Sequence, residues 1–169
     1  SAPRGISDAV HSDNAHIHEL PGPGATGSTA VLLRIAGSRF ECAWAGDSEL
    51  WLIRNGEIKK ITRDHSVVEE LIGAGLVAEN ERNTHPQGHL ITRAIGAAPS
   101  IELEWTASAA VVGDLFLLCS DGLGRALASS HWVEIISGKG LERAADDLMS
   151  AALAGAPRDN ITFILVRPR

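Results

Sequence analysis

Three aspartates stand where strand-like runs meet turns. Asp47 closes Cys42-Ala43-Trp44-Ala45-Gly46, Asp121 closes Phe116-Leu117-Leu118-Cys119-Ser120, and Asp159 sits just before the apolar run from Ile161 to Val166. In antiparallel pairing the end of one strand lies beside the start of its neighbour. If these runs are neighbours, the three carboxylates gather at one end of the sheets. Crowded carboxylates repel unless a cation neutralises them. A hard divalent ion does this, and Mg²⁺ or Mn²⁺ accepts a few short oxygen donors while keeping several waters. Such an ion acidifies its bound water and holds a phosphoryl group, the two requirements of phosphate-ester hydrolysis. Taken singly, each Asp also reads as a turn or capping residue, and Asp121-Gly122 is an ordinary turn pair.

The elements that must position these residues follow from periodicity. From Pro3 to about Leu20, Ile6, Val10 and Ile17 recur at helical spacing, and Pro21-Gly22-Pro23-Gly24 breaks that helix. Thr29 to Ile35 and Phe40 to Ala45 read as a hairpin through Ala36-Gly37-Ser38-Arg39. Leu50 to Ile53 and Glu57 to Thr62 form a second through Asn55-Gly56, giving four strands in meander order. Ser66 reads as the N-cap of a helix with Glu69 three residues on and Val67, Leu71 and Ile72 on one side, ended by Gly73 and Gly75. Glu79 to Gly88 reads as a loop or flap, and Leu90 to Ile95 has no assignable period. Ile101 to Trp105 alternates as a half-exposed strand, Leu115 to Cys119 is a buried one, and Ile161 to Val166 is the last. Helices are expected at His131 to Ile136 and Leu141 to Ala154. Hairpin-linked strands with separate helical blocks imply an α+β layered sandwich.

The chain has 169 residues, enough for one domain with its own core, and is 44% hydrophobic and 21% charged, which excludes disordered and fibrous classes. A net charge of −6 without a Lys/Arg run argues against nucleic acid as a partner. No apolar run is long enough for a membrane span and no signal-peptide pattern is present, so a cytoplasmic location is the expectation. Cys42 and Cys119 lie inside apolar runs and read as buried free thiols.

Short motifs then run in order along the chain: Gly27-Ser28-Thr29-Ala30, Ala45-Gly46-Asp47-Ser48, Asn55-Gly56, Ile61-Thr62-Arg63-Asp64-His65-Ser66, Leu90-Ile91-Thr92-Arg93-Ala94-Ile95-Gly96, Gly113-Asp114 with Leu117-Leu118-Cys119-Ser120-Asp121-Gly122-Leu123, and Asp159-Asn160-Ile161-Thr162. From about residue 5 to 167 the chain resembles the metal-dependent serine/threonine protein phosphatases of type 2C, the PPM family, in their compact bacterial form. The resemblance implies two antiparallel sheets in a sandwich flanked by helices, in four layers. It also implies two or three Mn²⁺ or Mg²⁺ ions at one end, and hydrolysis of phosphoserine or phosphothreonine in proteins by metal-activated water. By position, Asp121 and Asp159 match aspartates that bind the core metals, and Asp47 matches one that helps hold a third. Ser48 follows Asp47 in the Gly-Asp-Ser motif, Asn160 matches an asparagine whose amide orients the strand end, and Gly122 permits the turn that aims Asp121.

The departures matter equally. The family opens with two strands that bring an acidic ligand, a phosphate-binding arginine and an Asp-Gly-x-Gly-Gly segment, and these have no counterpart here. Glu49 stands where arginine is usual, and Gly124-Arg125 where a polar residue and aspartate are common. Loss of two strands exposes sheet edges, so the expectation is a single phosphatase-like domain truncated at its N-terminus, with the missing strands lying in a longer protein or supplied by a partner. The expected partners are a phosphoprotein substrate and a serine/threonine kinase or its targets, and the protein is expected to be a monomer. The alternative is a catalytically inactive phosphatase-like module that binds a kinase or other regulatory partner.

Other residues carry bland readings beside functional ones. His65 could protonate a leaving alkoxide, but a hydrogen-bonded structural histidine at the helix entry is the favoured reading. His11, His16 and His18 lack the i, i+4 spacing of a zinc pair and read as a solvated face. His85, His89, Arg82 and Arg93 belong to the flap region, where a surface loop is favoured over substrate contact. Asp64 and Asp114 read as turn or capping residues, and Trp44, Trp51, Trp105 and Trp132 as packing residues. Ser28-Thr29 beside Gly27 reads as packing in preference to a phosphate contact.

Overall fold

The computed structural model describes residues 4–21, 26–82 and 84–168, and the side chains of residues 4–6 are not among those described. Gly22-Pro23-Gly24, Pro3 and the side chain of Ile6 therefore lie outside the described residues. Helix α1 (Arg4–His18) is followed by β1 (Ala30–Ala36) and β2 (Arg39–Ala45), then by β3 (Glu49–Arg54) and β4 (Glu57–Lys60). Asn55 and Gly56 both take positive φ, 53° and 81°, the geometry that a two-residue hairpin turn needs to match strand twist.

Three later strands follow, β5 (Glu104–Ala109), β6 (Leu115–Cys119) and β7 (Phe163–Val166). The expected meander is corrected: the described strands form two antiparallel sheets, β1-β2-β5 and β4-β3-β6-β7, so β2 and β3 are in different sheets. The chain changes sheet at Gly46-Asp47-Ser48, where Gly46 holds φ +103° and a Cβ would collide with the Thr29 side chain. Strand propensity alone does not tell a sheet change from a hairpin. In the second sheet β3 pairs antiparallel with β6 (Leu115–Cys119), with Glu49 opposite Cys119. On its other edge β6 pairs antiparallel with β7 (Phe163–Val166), with Cys119 opposite Phe163.

The chain divides into two compact units, Ser1–Leu32, Cys42–Ser48 and Arg63–Thr106 in the first and Leu33–Glu41, Glu49–Thr62 and Ala107–Arg169 in the second. In the second unit, one face of the four-stranded sheet is covered by helices α3 (Asp121–Ala126), α4 (Trp132–Ile136) and α5 (Leu141–Ala154). Ala144, Leu148 and Ala152 are each fully buried and recur every fourth residue along α5, which is the stripe that seats it against Leu117, Leu123, Trp132 and Ile136. Behind the sheet, Phe40 of β2 meets Phe116 of β6 edge to face at 5.0 Å, so the two sheets pack as a sandwich in this unit.

In the first unit Val10, Ala45, Ile95 and Ile101 form the core. Asn14, fully buried between them in sequence, donates its amide to Ala98 O at 3.0 Å and accepts from Gly96 N–H at 2.8 Å. Strand β5 is Glu104–Ala109, later than the alternation at Ile101 to Trp105 suggests. Alternation reports which way side chains point, not whether the backbone is paired. Ile101 is core without being strand, and Trp105 is 39% exposed and so is not a core residue. Helix α2 (Val67–Gly73) is capped by Ser66, whose side chain accepts from Glu69 N–H, but its buried residues are Val68 and Glu69 while Val67, Leu71 and Ile72 are half-buried. Glu69 is held inside by ion pairs with Arg63 at 3.3 Å and with Arg82, so a polar anchor sets the inward face.

Candidate active site

Asp121 and Asp159 meet in the second unit, and the reason is local. Ser120 leaves β6 extended, its N–H donating to Thr162 O at 3.0 Å while its Oγ accepts from Thr162 N–H at 3.2 Å. This clamp ties the exit of β6 to the approach of β7, as antiparallel neighbours require. Asp121 is then the first residue of α3, a helix where sequence reading placed only a turn. Gly122 has no left-handed backbone here; its need is for space, because a Cβ would collide with the carbonyl of Asn160. Asn160 acts through its backbone, its N–H donating to Asp159 Oδ1 at 2.8 Å and its carbonyl accepting from Ser120 Oγ at 3.4 Å.

The two carboxylates converge on one guanidinium. Arg125, one helical turn beyond Asp121, places Nη2 2.8 Å from Asp121 Oδ2 and Nη1 3.6 Å from Asp159 Oδ2. Asp121 is 29% exposed and Asp159 47%, so both reach solvent. Sequence reading gave Arg125 no contact, because its i, i+4 relation to Asp121 exists only once α3 is helical.

Asp47 belongs to the first unit, half-buried at the turn after β2. Ser48 Oγ and Thr29 Oγ1 are 2.8 Å apart, which fixes one side of this turn. His65 fixes the other: its N–H donates to Gly46 O at 2.9 Å and its Nδ1 accepts from Gly46 N–H at 3.1 Å. With Nδ1 accepting, the ring proton sits on Nε2 and is donated to Glu104 Oε2 at 3.0 Å. The ring is buried and stacks on Trp44. His65 is thus tied at both nitrogens, the geometry of a structural histidine. Glu104, unnoticed in the sequence, is its partner from β5, and no local spacing links the two.

As for metal, the donor chemistry is that of hard oxygen ligands, and two monodentate carboxylates with waters suit Mg²⁺ or Mn²⁺. Among the described residues no group of three or more His, Cys, Asp or Glu converges on one point. The pair therefore fits part of an ion's shell. Neither cysteine is placed for nucleophilic work: both are buried and form no disulfide, and burial pushes Cys42 up to about 12. In the flap region Arg82 pairs with Glu69 and, at 3.1 Å, with Glu79, while Arg93 donates to Glu102 O at 2.9 Å. No described helix is long and apolar enough to cross a membrane.

Comparison with known proteins supplies the context for this geometry. The profile of the family Protein phosphatase 2C matches residues 4–71. The serine/threonine protein phosphatase PstP of Mycobacterium tuberculosis is 32% identical over 164 residues, covering 95% of this chain and 32% of that protein. Protein phosphatase PhpP of Streptococcus pneumoniae is 34% identical over 158 residues, covering 91% of this chain and 64% of that protein. The chain thus spans about a third to two-thirds of the length of these relatives. The solved catalytic domain of the phosphatase PstP in complex with two manganese ions superposes with a TM-score of 0.83 at 30% identity, covering 98% of this chain and 70% of that one.

Proposed function

The chain is a member of the protein phosphatase 2C family, and from that membership we propose that it hydrolyses phosphoserine and phosphothreonine esters in proteins with the aid of Mn²⁺ or Mg²⁺. The observation that carries the reading is the meeting of Asp121 and Asp159, which lie far apart in sequence, at one solvent-facing point. Asp121 and Asp159 would hold the ions, and Asp47 would assist at a further one. When bound, the metals supply an acidified water and positive charge for the phosphoryl oxygens.

The chain's own residues do the positioning. Ser120 and Thr162 lock the β6 exit against the β7 approach, Asn160 N–H orients the Asp159 carboxylate, and Gly122 lets the two segments close. His65 and Thr29 shape the turn that carries Asp47 and Ser48. The exposure of the carboxylate pair suits a phosphate carried on a protein surface, so the substrates are products of serine/threonine kinases. No covalent phosphoenzyme is involved.

The test is phosphate release from a phosphothreonine peptide in Mn²⁺, repeated with chelator and with Asp121→Asn. We expect release to stop with chelator and to fall at least about a hundredfold in the variant, because a metal ion contributes several kcal/mol of charge stabilisation. Equal release by Asp121→Asn rules out the mechanism in which Asp121 holds metal, and no release by the wild type in Mn²⁺ rules out the function.

A further inference from the structure

Arg125 offers its guanidinium to the same two oxygens that a cation at this point needs, Asp121 Oδ2 at 2.8 Å and Asp159 Oδ2 at 3.6 Å. We propose that Arg125 is an internal counter-cation which a divalent ion must displace, so that this one side chain sets the metal affinity of the site. The inference rests on the function proposed above.

Three features support it. The two carboxylates carry like charge at one point and need positive charge there, and a guanidinium across both stabilises the metal-free state. Arg125 side chain is 49% exposed on a short helix, so it can swing into water without disturbing the core. Each contact is single and solvent-screened, the weak class of ion pair, so the arginine can be exchanged. A residue that remained beside the ion would add repulsion between like charges. Either way the sign is the same: Arg125 weakens metal binding.

The test is calorimetric titration of the whole chain with Mn²⁺ alone, comparing the wild type with Arg125→Gln, which keeps length and removes charge, and Arg125→Lys, which keeps charge. Arg125→Gln should bind about threefold to tenfold more tightly, the factor expected when exposed pairs of this kind no longer compete. Arg125→Lys should stay within about twofold of the wild type, and the Mn²⁺ concentration for half-maximal phosphatase activity should fall in the Gln variant alone. Wild-type binding with equal or weaker binding by Arg125→Gln overturns the counter-cation role and leaves the function standing. No binding by any of the three proteins overturns both.

Discussion

Strand β6 has an aspartate just outside each end, each paired with an arginine, and the two ends are built in opposite ways. Before β6, Asp114 is fully buried, and Arg54 grips it with Nε to Oδ1 and Nη2 to Oδ2, both at 2.7 Å, while Val111 N–H donates to Oδ2 at 2.9 Å. The hydrogen bonds from Arg54 hold its carboxyl below the usual aspartate range despite its burial. After β6, Asp121 is part-exposed and meets Arg125 through one contact, and that arginine is shared with Asp159. A carboxylate held by several fixed donors is a fastener. One held loosely at the surface can exchange its arginine for another cation.

The comparison can be broken at either end. The largest effect is expected from Arg54→Ala, which leaves the Asp114 carboxylate buried without its partner. Denaturant unfolding should show a clear loss of stability, larger than that of any variant at the other end of β6, with phosphatase activity per folded molecule unchanged. Asp121→Asn should do the reverse, abolishing metal-dependent activity while moving stability by under about 1 kcal/mol, since an exposed helical pair is worth no more. Gly122→Ala drives a methyl toward the Asn160 carbonyl. It should cost about 1–3 kcal/mol and weaken Mn²⁺ binding at the same time, because it separates the segments that carry the two aspartates.

A smaller effect sharpens the contrast through pH. A carboxylate whose folded value is depressed contributes its full stability above its unfolded value near pH 4 and loses it as the pH falls through the folded value. The unfolded state is common to the wild type and Arg54→Ala, so the stability gap between them should be widest at neutral pH and narrow as acid protonates the unpartnered Asp114 of the variant. A gap that stays constant to pH 2 would show that Asp114 is not the group concerned.

Much of this was legible in the sequence, for physical reasons that differ by element. Helix α5 runs over Leu141–Ala154, where fourteen residues of helical period leave little ambiguity, and β6 runs over Leu115–Cys119, where a short apolar run faces core on both sides. Helix α3 was not legible: six residues with two glycines give no periodic signal, and Asp121-Gly122 resembles a turn. That one omission hid Arg125. The aspartates were visible because strand ends are marked by composition, and the meeting of Asp121 with Asp159 followed from antiparallel pairing of β6 and β7. Glu104, Thr29 and Arg54 were not visible as partners, since each reaches its contact across the fold.

Whether Asp121 is a metal ligand is decided by Mn²⁺ titration followed by calorimetry, run on the wild type and on folded Asp121→Asn. The wild type should bind saturably, and the variant should lose at least about tenfold in affinity with its thermal unfolding unchanged. Equal Mn²⁺ affinity in the two proteins would contradict that role.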